Sequence, residues 1–162
     1  MGLLPTLRYK RVFEIPKEKL KEHNISLILL DMDNTTAPWR TDYVAPEIAR
    51  WVEEIKNEEI TVALLTNSKG LNADSIGKKL NIPVYKNAKK PFSCETKKIL
   101  KALSIKAENT LIVGDQLFTD IVLANKIKAK SVLLEPLEDR EWWATRVFNR
   151  TREKLVWKFL FK

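Results

Sequence analysis

Two aspartates, Asp31 and Asp33, stand two residues apart directly after the aliphatic run Leu27–Leu30, and Asn34, Thr35 and Thr36 follow them. A lone acid at a strand end is commonplace. A pair flanking one methionine and followed by hydroxyls is an arrangement chemistry can use. Comparable residues recur downstream. Thr66, Asn67 and Ser68 close the run Ile60–Leu65, Lys89-Lys90-Pro91 comes after Ile82–Tyr85, and Gly114-Asp115-Gln116 comes after Thr110–Val113, with Asp120 close behind. Three carboxylates on one rim repel one another unless a cation is present. With one histidine and one cysteine in the chain, the hard oxygen ligands suit Mg²⁺. A magnesium ion beside a carboxylate, a hydroxyl and a lysine makes a phosphate site, because the cations neutralise phosphoryl oxygens and the hydroxyl donates a hydrogen bond. One carboxylate can then attack phosphorus and form an acyl-phosphate, while a second, two residues along, protonates the leaving oxygen and later activates water.

Such residues act together only if the fold delivers them to one place. The apolar runs at 27–30, 60–65, 82–85, 110–113 and 131–134 read as strands. Helical patterns fill the intervals: Ala45–Glu59, with Ile48, Trp51, Val52 and Ile55 on one face and Pro46 at its opening, then Leu71–Leu80, Glu95–Leu103 and Asp120–Lys126. Strands alternating with helices predict an α/β fold, a doubly wound parallel sheet between two helical layers. Ligands of such sheets bind outside the carboxyl ends of the strands. All the residues singled out above fall at strand ends or in the loops that follow them.

The 162 residues suit one domain spanning 1–162, and the hydrophobic share of 44% is that of an ordinary globular protein. No apolar run is long enough to cross a bilayer. The N-terminus lacks the pattern of a signal peptide, and Met1-Gly2 through Thr6 matches only the loose myristoylation pattern. A single cysteine, Cys94, excludes an internal disulfide and fits a reducing compartment, so the expected location is the cytoplasm. Catalysis by Cys94 would need a histidine, and His23, the only one, is read as an exposed loop residue. The net charge of +8 points to an anionic partner: nucleic acid, an acidic membrane surface or a phosphorylated substrate.

The segments "LILLDMDNTT", "LLTNS", "KKP" and "VGDQLFTD", in that order, resemble the four motifs of the haloacid dehalogenase (HAD) superfamily of phosphatases. The resemblance implies a HAD-like, Rossmann-like three-layer fold. It implies that Asp31 is the nucleophile and Asp33 the general acid/base, with Thr66 as the motif II hydroxyl and Lys90 as the motif III lysine. Magnesium would be held by the Asp31 carboxylate, the Asp33 backbone carbonyl and Asp115. Asp120 would be an outer-shell group or an anchor for Lys90, with Asn67 as a second supporting residue. The chain resembles most the class IIIA, YqeG-type branch, related to mitochondrial phosphatidylglycerophosphate phosphatases. Pro38-Trp39, the Lys-Pro of motif III, the GDQxxTD of motif IV and a tail motif from Thr145-Arg146 through Asn149-Arg150 to Glu153 carry that likeness. Thr36 departs from it, since this branch usually has leucine there.

The spacing speaks to the substrate. Asp31 to Thr66 is 35 residues and Thr66 to Lys90 is 24, each gap already filled by one helix and one strand. Neither holds the cap domain that many HAD enzymes close over small substrates, so the site is expected to be capless and open. An open site suits a phosphate presented on something large: a lipid headgroup in a bilayer, a protein or a nucleic-acid end. Residues 140–162 carry seven Lys/Arg against two Glu, interleaved with Trp142, Trp143, Phe148, Trp157, Phe159 and Phe161. That pattern fits a helix lying on an anionic membrane and equally fits packing on the sheet or a dimer contact. Two functions remain open: a magnesium-dependent phosphomonoesterase acting on phosphatidylglycerophosphate or a related anionic phospholipid, and a basic nucleic-acid- or ribosome-associated module with secondary or no phosphatase activity.

Overall fold

The computed structural model describes residues 3–137; the basic aromatic segment 140–162 and its tail motif lie outside the described residues. Six strands form one parallel sheet: β1 (Leu7–Tyr9), β2 (Leu27–Leu30), β3 (Thr61–Leu65), β4 (Val84–Tyr85), β5 (Thr110–Gly114) and β6 (Lys130–Leu134), in the spatial order β1-β6-β5-β2-β3-β4. Five helices connect them: α1 (Lys17–Glu22), α2 (Pro46–Asn57), α3 (Asn72–Leu80), α4 (Cys94–Leu103) and α5 (Val122–Ile127). Every residue of β2 is fully buried, as expected of a central strand covered on both faces.

Strand side chains alternate between two cores. Ile28, Leu30, Val62, Leu64, Leu111 and Val113 pack with Ile48, Trp51, Val52 and Ile55 of α2 and Ile76 and Leu80 of α3. Leu27, Leu29, Ala63, Leu65 and Ile112 pack on the other side with Leu100 of α4 and Leu123, Ala124 and Ile127 of α5. The result is the expected three-layer, Rossmann-like arrangement. The chain runs outward from β2 to β3 and β4, then returns to β5 on the other flank of β2. The strand order therefore reverses between β2 and β5, and a crevice opens at their carboxyl ends. No further folded unit is inserted over that crevice among the described residues.

Two elements were not legible. β1 is three residues with no apolar run, and α1 is a short polar helix whose Leu20 is buried together with Ile15 and Val12. β1 is held at the sheet edge by its register with β6 and by paired hydroxyls, the Thr6 N–H donating to Ser131 Oγ and the Ser131 N–H to Thr6 Oγ1. The helix expected over 120–126 is preceded by a wider π turn, Leu117–Ile121, and becomes α-helical only from Val122. Such turns concentrate at functional sites, and this one carries Asp120.

Candidate active site

β2 ends at Leu30, and the next residue, Asp31, is still tied to the sheet: its N–H donates to the Val113 carbonyl on β5 (2.8 Å). The chain then turns sharply. The Thr36 and Ala37 N–H groups both donate to the Met32 carbonyl, and Asn34 takes a left-handed backbone (φ 60) that asparagine tolerates. Thr36, the residue that departs from the family pattern, is fully buried, and its hydroxyl donates to the Asp31 carbonyl (2.7 Å). The turn thus locks the backbone of Asp31 and leaves its carboxylate facing the crevice.

Lys90 reaches this carboxylate from the loop after β4. Its Nζ donates to Asp31 Oδ1 at 2.5 Å and to Asp120 Oδ1 at 2.6 Å, with all three side chains buried. The side chain of Asn67 fixes the lysine's backbone from both sides: the Lys90 N–H donates to Asn67 Oδ1 (2.7 Å) and Asn67 Nδ2 donates to the Lys90 carbonyl (3.0 Å). Asp120 approaches from beneath β5, and a Cβ at Gly114 would overlap its carboxyl group, so only glycine at 114 admits it. The structure thereby gives Asp120 a definite contact, an ion pair with Lys90.

Asp115 follows β5 directly. Carboxylate oxygens of Asp31, Asp115 and Asp120 all lie within 4.8 Å of one another. One lysine against three carboxylates leaves two negative charges uncompensated when all are ionised, which is the charge of one divalent cation. In a buried site that excess is costly. The carboxyl of Asp31 accordingly rises to about 7, because burial outweighs the attraction of Lys90 and the charge of Asp120 adds to the rise. The Asp33 backbone carbonyl accepts no hydrogen bond among the described residues. The residues present therefore fit a hard divalent cation.

Asp33 stands apart from this cluster. Its half-buried carboxylate accepts the Arg40 N–H at Oδ1 (3.1 Å), and burial raises its pKa. Thr66 is buried at the end of β3, and its Oγ1 accepts the Ser68 N–H (3.0 Å), which leaves the hydroxyl proton for an incoming anion. Asp31, Asp33, Thr66 and Lys90 line one pocket of about 90 Å³, the size for a phosphoryl group and not for a whole substrate. Asp33 and Ser68 also line a wider groove of about 560 Å³ that runs past Trp39 and Arg40. Asp33 is thus at the junction, where a leaving oxygen would lie.

Residues to which the sequence assigned no role join the site. Gln116 and Thr119 line the small pocket, and the Thr119 hydroxyl lies within hydrogen-bond distance of Gln116 Oε1 and Asp120 Oδ2, at 3.3 Å each. Both belong to the stretch "GDQLFTD", so their position in the motif was the available signal. Arg40 carried none beyond its place beside Trp39. Cys94 opens α4 and is exposed, and His23 caps the end of α1, outside the crevice.

The chain is similar to several known phosphatases. The family model for mitochondrial PGP phosphatase matches residues 2–137. A protein of Bacillus subtilis (strain 168) named probable phosphatase YqeG is 31% identical over 153 residues, covering 94% of this chain and 88% of its own. Phosphatidylglycerophosphate phosphatase 1 of Arabidopsis thaliana is 28% identical over 151 residues, 86% of this chain, and the chain spans 42% of that longer protein. The fold is shared with 3-deoxy-D-manno-octulosonate 8-phosphate phosphatase from Moraxella catarrhalis, in complex with a magnesium ion, a phosphate ion and a KDO molecule (TM-score 0.54, 13% identity, 72% of this chain and 80% of that one). The chain belongs to the mitochondrial PGP phosphatase family and is a phosphatase of the HAD type.

Proposed function

We propose that this phosphatase is magnesium-dependent, works through an aspartyl-phosphate on Asp31, and acts on phosphatidylglycerophosphate or a closely related anionic phospholipid. The observation that carries the mechanism is the buried cluster in which Lys90 bridges Asp31 and Asp120 while Asp115 closes the acidic ring. Asp31 and Asp115, with the Asp33 backbone carbonyl, would hold the metal. When bound, the metal neutralises phosphoryl oxygens and favours the ionised form of Asp31.

Asp31 is held by its backbone at Val113 and Thr36, so its free oxygen has a fixed line of approach to phosphorus. The ammonium of Lys90, the Thr66 hydroxyl and the loop after β3 surround the pocket that receives the phosphoryl oxygens. Asp33, with its pKa raised by burial, retains a proton more readily than an exposed aspartate and gives it to the leaving oxygen at the groove's mouth. The resulting Asp33 carboxylate then takes a proton from the water that hydrolyses the aspartyl-phosphate. Asp120 holds Lys90, and Asn67 holds the lysine's backbone.

The lipid substrate is supported by the named activity of the Arabidopsis relative and by the open groove beyond the phosphoryl pocket. A single set of assays tests both parts. Purified wild-type protein should release phosphate from phosphatidylglycerophosphate with Mg²⁺, stop in EDTA, and recover with Mg²⁺ but not Ca²⁺, whose longer bonds and higher coordination number misplace the carboxylate. Asp31→Asn should fold normally and show no turnover, because an amide cannot form the acyl-phosphate. Full activity in EDTA, or turnover by Asp31→Asn, would rule the mechanism out.

A further inference from the structure

The loops on the carboxyl edge of the sheet carry the least buried apolar side chains among the described residues. Leu71 is 82% exposed, Phe92 69% and Tyr43 60%, and they belong to the loops that leave β3, β4 and β2. Trp39, partly exposed, stands in the same loop as Tyr43 and lines the groove that Asp33 shares with the phosphoryl pocket; Leu71 borders that groove at its outer lip. Phe92 lies two residues beyond Lys90. A single exposed leucine means little. Several large apolar groups around the mouth of one site mark an interaction surface.

The charges at this edge indicate what it meets. The exposed side chains of Arg40, Lys69 and Lys89 make no ion pair with a described acid. Of the acids in the neighbouring segments, Asp42 pairs with Lys79, Asp74 with Lys86 and Glu95 with Lys98, while Asp33 lies beside Arg40, whose charge favours its ionised form. Two cations also sit over aromatic rings beside the opening, Arg40 over Trp39 at 4.4 Å and Lys126 over Phe92 at 5.6 Å. Apolar and aromatic side chains among exposed cations match the boundary between anionic headgroups and acyl chains.

We propose that this rim, with Leu71, Phe92 and Trp39 as its apolar contacts and Arg40, Lys69 and Lys89 as its cations, is the face by which the enzyme sits on an anionic lipid bilayer. The proposal rests on the lipid-borne substrate argued above. It adds the orientation: the phosphoryl pocket faces the membrane, so a headgroup phosphate can enter while its acyl chains remain in the bilayer. The cations attract the surface, and the apolar groups set the depth.

Cys94, the only cysteine in the chain, is exposed two residues beyond Phe92 and serves as a reporter on this edge. The full chain, labelled there with an environment-sensitive fluorophore, is mixed with phosphatidylcholine vesicles containing phosphatidylglycerol. Emission should shift to the blue and be quenched by spin-labelled lipid, and both responses should fade at high salt. Lys69→Gln with Lys89→Asn should weaken vesicle partitioning about fivefold per lysine, and asparagine tolerates the left-handed backbone at 89 (φ 56). Leu71→Ser with Phe92→Ser should weaken it as well, with turnover of a small soluble phosphomonoester retained. The proposal is overturned if the labelled protein co-sediments with vesicles while Cys94 reports no change, if both double variants partition like the wild type, or if nothing partitions at all. The lipid substrate is judged separately in detergent mixed micelles, where docking on a bilayer is not needed. Cleavage of the soluble phosphoester without cleavage of micellar phosphatidylglycerophosphate removes that substrate, and the Cys94 signal still decides the orientation.

Discussion

Two clusters of three charges in this molecule are inverses of each other. Lys90 bridges Asp31 and Asp120 at 2.5 and 2.6 Å, and Glu58 bridges Lys17 and Lys21 at 3.0 and 2.6 Å. The distances are alike, yet the two do different things. The Lys90 cluster has side chains 3%, 10% and 1% exposed, whereas those of the Glu58 cluster are 25%, 49% and 60% exposed. Hydrogen bonds from Lys21 and Lys17 lower the pKa of Glu58, the ordinary response to a paired cation. Asp31 shifts the other way although Lys90 touches it, because burial dominates. A short ion pair therefore reveals little about its role. Its surroundings decide whether it joins two helices or holds a carboxylate ready for chemistry.

Removing the central charge of each cluster should separate them most strongly at Lys90. Lys90→Met keeps the volume of the stem but leaves Asp31 and Asp120 buried without their cation. Breaking a buried ion pair by removing one partner costs about 3–5 kcal/mol, so the metal-free variant should denature at markedly lower urea concentration than the wild type. Loss of one preorganised charge facing the phosphoryl group should also lower kcat by at least about 10²-fold. Urea titration and a phosphate-release assay on the same preparation measure both. A variant with wild-type stability in the metal-free state would remove the distinction between the two clusters.

The sequence displayed some parts of this site and concealed others, for physical reasons. Strands covered on both faces must be continuously apolar, so runs such as Leu27–Leu30 announce themselves, and the polar residues that end them are conspicuous. Gly114-Asp115 was readable on the same ground. The short strand β1 was not, because an edge strand of three residues needs no apolar run and is held by its register with β6. Asp120 had two possible roles on sequence alone; its ion pair with Lys90 joins residues 30 positions apart, which no local periodicity records. Thr36 looked like a departure from a pattern and proved to be a buried hydroxyl bound to the Asp31 carbonyl. Arg40 could not have been found, since its contacts depend on how the loop after Ala37 turns back.

A smaller effect should appear when the Lys90 cluster is titrated. Unfolded, the Asp31 carboxyl ionises in the ordinary aspartate range; folded and metal-free, it holds its proton until about pH 7. Between those values the folded chain binds more protons than the unfolded chain, so stability falls as pH rises through that window. Metal-free protein should be more stable at about pH 5 than at about pH 8, by roughly 2 kcal/mol. The raised pKa of Asp33 acts in the same direction. The lowered pKa values of Glu58, Asp42 and Glu22 act below this window and do not cancel it. Magnesium, which favours the ionised carboxylates, should remove the difference. Denaturation at both pH values, with EDTA and with Mg²⁺, provides the measurement, and a metal-free protein that gains stability over this range would contradict the burial of Asp31.

The smallest effect is expected at the other cluster. Glu58 follows α2 and joins it to Lys17 and Lys21 of α1, but all three side chains remain in contact with water. Exposed pairs gain little over solvation, lose side-chain freedom in forming and are screened by salt. What holds α1 in place is buried: Leu20 packs with Val12 and Ile15, and Trp51 of α2 donates from Nε1 to the Ile15 carbonyl just before the helix (3.0 Å). Glu58→Gln should therefore leave kcat unchanged and produce no resolvable change in melting temperature at physiological salt. Any difference should emerge only at low ionic strength, where the two lysines lose their partner without screening. Paired melting scans of the variant and the wild type at low and high salt test this directly. A loss at high salt comparable to that of Lys90→Met would mean that Glu58 is shielded from water in solution, and that exposure does not separate the two clusters.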